Sequence, residues 1–158
     1  VHFDADTKAL MDDMKATMYH HNGVGLAAVQ VGVLKNIIII DMHDMRTEDE
    51  MVYDEDLFPL FLVNPKITHS SSEKILASEG CLSLPEQSIE LPRAEKVAVS
   101  YKDYHNQDKI LHADGWLARA IQHEMDHLLG KLLIDYVSFS KRDLINRRLT
   151  KLKNSKNL

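Results

Sequence analysis

At 158 residues, with 44% hydrophobic and 27% charged positions, the chain fits one folded domain that can bury a core without covalent staples. Its single cysteine excludes an internal disulfide and suits a reducing compartment, and no apolar run is long enough to span a bilayer. The net charge of −5 is uneven: residues 141–158 hold seven Lys or Arg against one Asp, leaving −11 on the rest, and such a basic tail is a candidate face for an anionic partner.

The chain begins at Val1 without an initiator methionine and runs almost directly into a helical pattern. The expectation is that an N-terminal segment is missing, which leaves an organellar targeting sequence open. Leu10, Met11, Met14 and Met18 recur at three- and four-residue spacing, with Asp12, Asp13 and Lys15 turned away. That pattern predicts an amphipathic helix over 4–21, ended by Asn22-Gly23. The methionine stripe reads as core packing, and His20 and His21 as solvent-facing at the helix end. Next, the small and apolar GVGLAAVQVGV (23–33) leads to a strand in NIIII (36–40).

Residues 41–56 are charged and patternless and read as a solvated loop. LFPLFLVNPKI (57–67) reads as a loop entering a buried strand that Asn64-Pro65 interrupts, and HSSSEK (69–74) as a turn. EGCLSLP (79–85) is dense in turn-formers around Cys81, which by default is a small buried hydrophobe. Val97, Val99 and Tyr101 alternate with polar residues as a half-buried strand, and Ile110-Leu111 returns after the polar HNQD (105–108). Asp114-Gly115 opens a helix over WLARAIQHEMDHLL, closed by Gly130. After KLLIDYV a further helix over about 139–153 carries the basic tail.

Within the first of these late helices stands His123-Glu124-Met125-Asp126-His127. Two histidines at i and i+4 lie on one helical face, so both imidazoles can reach one metal ion. Glu124 is offset by one position, close enough to act on a water at that metal without being a ligand, the HExxH pattern of metal-assisted hydrolysis. The bland reading is a helix with two surface histidines. Against it, the motif sits between the apolar run 116–121 and Leu128-Leu129, so the helix reads as buried, where such groups need partners. A hydrolytic site wants a third protein ligand; Cys81 is the one thiol and His112 the alternative. A Cys-His-His set suits a soft or borderline divalent ion, which would also keep the thiol ionised.

Strands first and the strongest helix late make the class α+β. The expectation is a single domain over 1–158, with antiparallel or mixed sheets packed around a central HExxH helix and a basic C-terminal helix over 139–158. Neither an internal repeat nor a linker is visible.

Three segments, GVGLAAVQVG (23–32), EGCLSLP (79–85) and QHEMDHLLGKL (122–132), resemble in order and spacing the signature motifs of peptide deformylases, and PRAEKV (92–97) is also similar to family sequence. The resemblance covers nearly the whole chain. It implies a metal-dependent hydrolase that removes the formyl group from N-terminal formyl-methionine of nascent polypeptides and releases formate. Position by position, Cys81, His123 and His127 match the metal ligands and Glu124 the acid–base. Gln30 and the backbone N–H of Leu82 match the groups that stabilise the oxyanion. A buried amide such as Gln30, among small apolar neighbours, needs partners in any case.

The family's metal is Fe(II), with Zn, Ni or Co able to occupy the site, whereas the ligand set alone points to zinc. By resemblance Val24, Trp116, Arg119, Ala120 and His123 line the methionine pocket. Gly23, Gly25 and Gly80 suit close approach of a peptide backbone, and Glu79 pairs with Arg93 in a structural role. The implied setting is the bacterial cytoplasm, with no membrane or DNA partner.

Three positions depart from the family pattern. Arg119 stands where many members carry an apolar pocket residue, Ser88 where several carry a substrate-contacting arginine, and the usual N-terminal strand segment is absent before Val1. The basic tail admits two readings. One is docking on ribosomal RNA, proposed for bacterial relatives; the other is a solvated helix with Leu144, Ile145, Leu149 and Leu152 packed on the body. Two rival functions are a domain whose metal is purely structural, which would want a fourth ligand, and an HExxH peptidase, against which the cysteine ligand argues.

Overall fold

In the computed structural model, which describes residues 2–43 and 55–155, helix α1 (Ala5–His20) starts where the Asp4 side chain accepts the Thr7 amide at 2.8 Å. Its methionine stripe does what the spacing predicts: Met11, Met14 and Met18 are almost wholly buried, while His20 and His21 face solvent. After the short strand β1 (Gly25–Ala27), a 3-10 turn over Ala28–Val31 carries Gln30, and β2 (Ile37–Ile40) follows.

All four isoleucines of β2 are fully buried, and the alternation of strand side chains explains why. Ile37 and Ile39 pack with the α1 methionines, Leu26, Phe61 and Val63. Ile38 and Ile40 pack on the opposite face with Leu62, Val99, Leu117, Ala118 and Ile121. A strand covered on both sides reads as a continuous apolar run rather than an alternating one.

The chain continues through β3 (Leu60–Ser70), β4 (Lys74–Cys81), β5 (Leu84–Ala94), β6 (Lys96–Lys102) and β7 (Asp108–Asp114) into α2 (Gly115–Leu128) and α3 (Phe139–Ser155). Five strands form one sheet in the order β1-β2-β3-β6-β7, and β4 pairs with β5 as a separate hairpin. Every described pairing is antiparallel, so the mixed arrangement allowed by the sequence is not adopted. Asn64-Pro65 does not end β3; the ladder slips there, between Val63 and Lys66, and the strand runs on with Asn64 at φ 51°. Most of the expected loop at 41–56 lies outside the described residues.

A third, smaller core seats the C-terminal part. Leu133, Ile134 and Ile145 pack on Leu84, Ile89 and Leu91 of β5, with Leu149 at the margin. Leu144, expected on the body, is instead 48% exposed, because Ile145 takes the inward position of α3. The result is an α+β domain in which α2 lies on one face of the large sheet and also touches β5. That placement brings the hairpin and the HExxH helix together.

Candidate metal centre

Helix α2 is anchored at two points that fix its register against the hairpin. The Gly115 amide donates to the Glu95 carbonyl at 3.0 Å. The Gln122 amide then pairs with the backbone of Ala94 like an added strand residue, accepting from its N–H at 3.0 Å and donating to its carbonyl at 2.9 Å. Asp114 holds the cap position in extended conformation, but its side chain makes no cap hydrogen bond, contrary to the expected cap. One helical face then carries His123 and His127, both buried, with Nε2 atoms 3.2 Å apart.

Cys81 arrives from the other side, as the last residue of β4. The hairpin closes tightly there, pairing Cys81 with Leu84, while the next pair down is Gly80 with Ser88. Residues 85–87 are therefore pushed out of the ladder, with Glu86 at φ 62°. The closure turns Cys81 Sγ to within 3.3 Å of His127 Nε2, and donor atoms of Cys81, His123 and His127 all lie within 4.8 Å of one another. Tetrahedral zinc with bonds of about 2.0–2.3 Å separates its ligand atoms by about 3.3–3.6 Å, so the three donors fit one ion. His112, the alternative ligand, is exposed on β7 opposite Ala98 and takes no part in this cluster.

The electrostatics follow from one buried carboxylate. Glu79 accepts from Arg93 at 2.9 and 3.0 Å, from Arg119 at 2.7 Å, and bonds His123 Nδ1 at 2.9 Å. Burial works against its charge, but the bonds to His123, Arg93 and Arg119 prevail and hold its carboxyl down at about 2. With Nδ1 engaged by a carboxylate, the His123 ring is oriented with Nε2 toward the ligand cluster. Burial likewise opposes the Cys81 thiolate, yet His123 and His127 overcome it and bring the thiol down to about 5. His123 is raised to about 10 against its own burial, chiefly by Cys81 and Glu79. The cluster therefore attracts positive charge, which a divalent cation supplies.

Glu124 has a different environment. Its Oε2 is buried with no hydrogen-bond partner among the described residues, and burial pushes the carboxyl up to about 7 despite the pull of His123 and His127. An orphaned carboxylate oxygen beside a ligand cluster is costly unless it serves a proton. Gly25 makes room for it: a Cβ at Gly25 would stand 3.0 Å from Glu124 Cδ and 3.1 Å from Cγ. The Gln30 side-chain Oε1 accepts from the Ala27 N–H at 2.9 Å, which turns Nε2 toward Ser83 Oγ at 3.0 Å and Cys81 Sγ at 3.7 Å.

Cys81, Gln30, Leu82, His123 and Glu124 border one cavity of about 650 Å³. Its wall includes all six residues expected at the substrate: Val24, Gly25, Gly80, Trp116, Arg119 and Ala120. Gly80 is the least constrained of these, since a Cβ there would meet only the Gln87 carbonyl at 3.7 Å. Ser88 faces solvent opposite Gly80 and does not border the cavity.

Sequence reasoning paired Glu79 with Arg93 but missed its bonds to Arg119 and His123. It also missed Asp126, which holds Arg93 Nη1 at 2.5 Å and the Tyr136 hydroxyl at 2.6 Å. The buried setting of HExxH was the available signal, because its charges must be balanced by something.

The profile of the polypeptide deformylase family matches residues 1–143. The chain is 54% identical over 153 residues to peptide deformylase 1 of Rickettsia conorii (strain ATCC VR-613 / Malish 7), covering 97% of this chain and 86% of that protein. The crystal structure of peptide deformylase from Ehrlichia chaffeensis superposes with a TM-score of 0.86 at 39% identity, over 98% of this chain and 87% of that one. A second structure of the Ehrlichia chaffeensis protein, in complex with actinonin, gives 0.82 at 41% identity over 94% and 84% of the two chains.

Proposed function

Since this chain belongs to the polypeptide deformylase family, we propose that it hydrolyses the formyl group from N-terminal formyl-methionine of nascent polypeptides, at the Cys81–His123–His127 centre. The observation that carries the reading is the unpartnered, buried Glu124 oxygen beside those three donors, at the edge of the cavity.

A formamide is a weak electrophile. The ion held by Cys81, His123 and His127 would supply polarisation of its carbonyl and a nucleophile at neutral pH. Glu124 takes the proton of the attacking water at Oε2, and its carboxyl, raised to about 7, is matched to that transfer near neutrality. As the new C–O bond forms, negative charge develops on the formyl oxygen. Gln30 Nε2 and the Leu82 N–H are the donors assigned to it, each typically worth about 3 kcal/mol of barrier. Glu124 then passes its proton to the nitrogen as the C–N bond breaks, so one water and one formamide give formate and a free amine. Val24, Gly25, Gly80, Trp116 and Ala120 are assigned to hold the methionine and the start of the peptide, with Arg119 bordering the same wall, and the lining of the cavity supports this.

The ion is assigned as Fe(II), with Zn, Ni or Co able to replace it. A thiolate with two imidazoles suits these ions, and metal analysis of anaerobically purified protein that finds no iron would contradict the assignment. The bacterial cytoplasm is the proposed setting, supported by bacterial relatives. Among the described residues no helix is long and apolar enough to cross a membrane.

For α3 we propose contact with an anionic surface such as ribosomal RNA. Lys141, Arg148, Lys151 and Lys153 are exposed on it, while Arg147 is engaged by Asp143 at 2.8 Å. Reversing the charges of Arg148 and Lys151 should weaken co-sedimentation with ribosomes in a salt-dependent way. Unchanged sedimentation would leave α3 as a solvated helix.

Formate release from formyl-Met-Ala tests the function as a whole. The expected result is formate and intact Met-Ala. Cleavage of the Met-Ala bond instead would indicate a peptidase, and metal uptake with neither reaction a structural site.

A further inference from the structure

Arg119 borders the cavity, yet its charged end does not serve it. The residue is 5% exposed, and its guanidinium crosses Trp116, 5.8 Å from the ring centroid. Nη1 donates to Glu79 Oε1 at 2.7 Å and to the Leu91 carbonyl at 3.1 Å, and Nη2 donates to the Ile75 carbonyl. Ile75 belongs to β4 and Leu91 to β5, so one α2 side chain grips both strands of the hairpin that ends in Cys81.

Two counts show what Arg119 completes. Each Glu79 oxygen carries two bonds: Oε1 takes Arg93 Nε and Arg119 Nη1, and Oε2 takes Arg93 Nη2 and His123 Nδ1. Without Arg119, Oε1 keeps one contact and the carboxylate can rotate away from His123. Charge gives the same answer. Arg93 is shared between Glu79 and Asp126, so it cannot neutralise both. With His123 read as a neutral metal ligand, two carboxylates balance two guanidiniums only when Arg119 is counted, and a buried charge left over would be costly.

We propose that Arg119 is a positioning residue for the metal centre. It fills the last acceptor position of Glu79 and staples the hairpin to α2, so that His123 is held by Nδ1 and meets Cys81 at a fixed spacing. The proposal rests on the reading of His123 as a ligand. It separates Arg119 from Val24, Trp116 and Ala120, the wall residues assigned to the substrate, whose replacement would act on substrate binding.

Titration with Co(II), followed by the thiolate charge-transfer and ligand-field bands, tests this without reference to turnover. Arg119→Met is expected to weaken Co(II) binding about tenfold or more and to shift the ligand-field bands, as loss of an outer-sphere partner does. With formyl-Met-Ala, kcat should fall while KM changes little. Arg119→Lys restores the charge without the fork and should lie between Arg119→Met and the unaltered chain. In a Glu79→Gln background, Arg119→Met should cost less than about threefold in Co(II) affinity, because its target is already altered. Unaltered Co(II) affinity and spectrum with a raised KM would make Arg119 a cavity wall only and overturn the proposal. An undiminished loss in the Glu79→Gln background would overturn its action through Glu79. Should Arg119→Met fail to fold, Arg119→Lys decides: bands and affinity equal to those of the unaltered chain would overturn the proposal. If the unaltered chain itself bound no Co(II), the metal reading would fall, and this proposal with it.

Discussion

Cys81→Ala is expected to remove stoichiometric metal and formate release together, while the chain still folds. In the proposed centre three protein donors hold the ion, and loss of one should exceed the roughly 10–100-fold in affinity that loss of an outer hydrogen bond costs. The thiolate is also the one formal negative charge among the donors, held ionised by His123 and His127 with its thiol down at about 5. No neutral replacement supplies that charge. If Cys81 were only a small hydrophobe at the end of β4, the substitution would lower thermal stability by about 1 kcal/mol and leave metal content intact. Metal analysis by mass spectrometry alongside a melting curve separates the two outcomes. Retained metal with a lowered melting temperature would remove Cys81 from the centre.

Glu124→Gln is expected to act on the reaction and spare the metal. The amide keeps the size of the side chain beside Gly25, where an added Cβ would stand 3.0 Å from Glu124 Cδ. It cannot take a proton from water, so kcat should fall by about 10²–10⁴-fold, the usual contribution of a positioned acid–base, with KM and metal content little changed. Stability should hold or rise. The carboxylate has an unpartnered buried oxygen, and replacing a strained charge at an active site with a neutral group commonly stabilises. A rise in melting temperature coupled to loss of turnover would mark Glu124 as a group kept for chemistry. Equal turnover in Glu124→Gln and the unaltered chain would assign the proton transfer elsewhere.

What could be read from the sequence depended on how local each signal is. The Met11-Met14-Met18 stripe, the isoleucine run and the His123–His127 spacing are all set within a few residues, and each appears in the fold as expected. The hairpin over β4 and β5 was not legible. Lys74–Cys81 is mostly exposed and lacks a clean alternation, and β5 contains Pro85 and Pro92, which ordinarily argue against a strand. They are accommodated because β5 pairs with a single neighbour, β4.

The centre was legible as a donor list but not as a network. Glu79 lies 44 positions before His123 and 40 before Arg119, and nothing in the linear order ties a carboxylate to those two rather than to others. Arg119 departs from the family pattern because it stands where many members carry an apolar pocket residue. Its length lets the guanidinium leave that wall and reach the hairpin instead. Asp126 had only the buried setting of its motif as a signal, since an acidic residue on a helix is ordinary until an arginine is found beside it. Leu144 shows the opposite failure: adjacent apolar residues 144 and 145 cannot both face inward on one helix, and only packing decided between them.

In the proposed centre one ion is held by a sulfur from the hairpin and two nitrogens from α2. X-ray absorption at the zinc edge, on zinc-loaded protein that releases formate from formyl-Met-Ala, tests it most directly. The expected spectrum contains one sulfur at about 2.3 Å and two imidazole nitrogens at about 2.0–2.1 Å, with the remaining coordination from a light oxygen donor. A first shell of nitrogen and oxygen alone, with no sulfur, would contradict it.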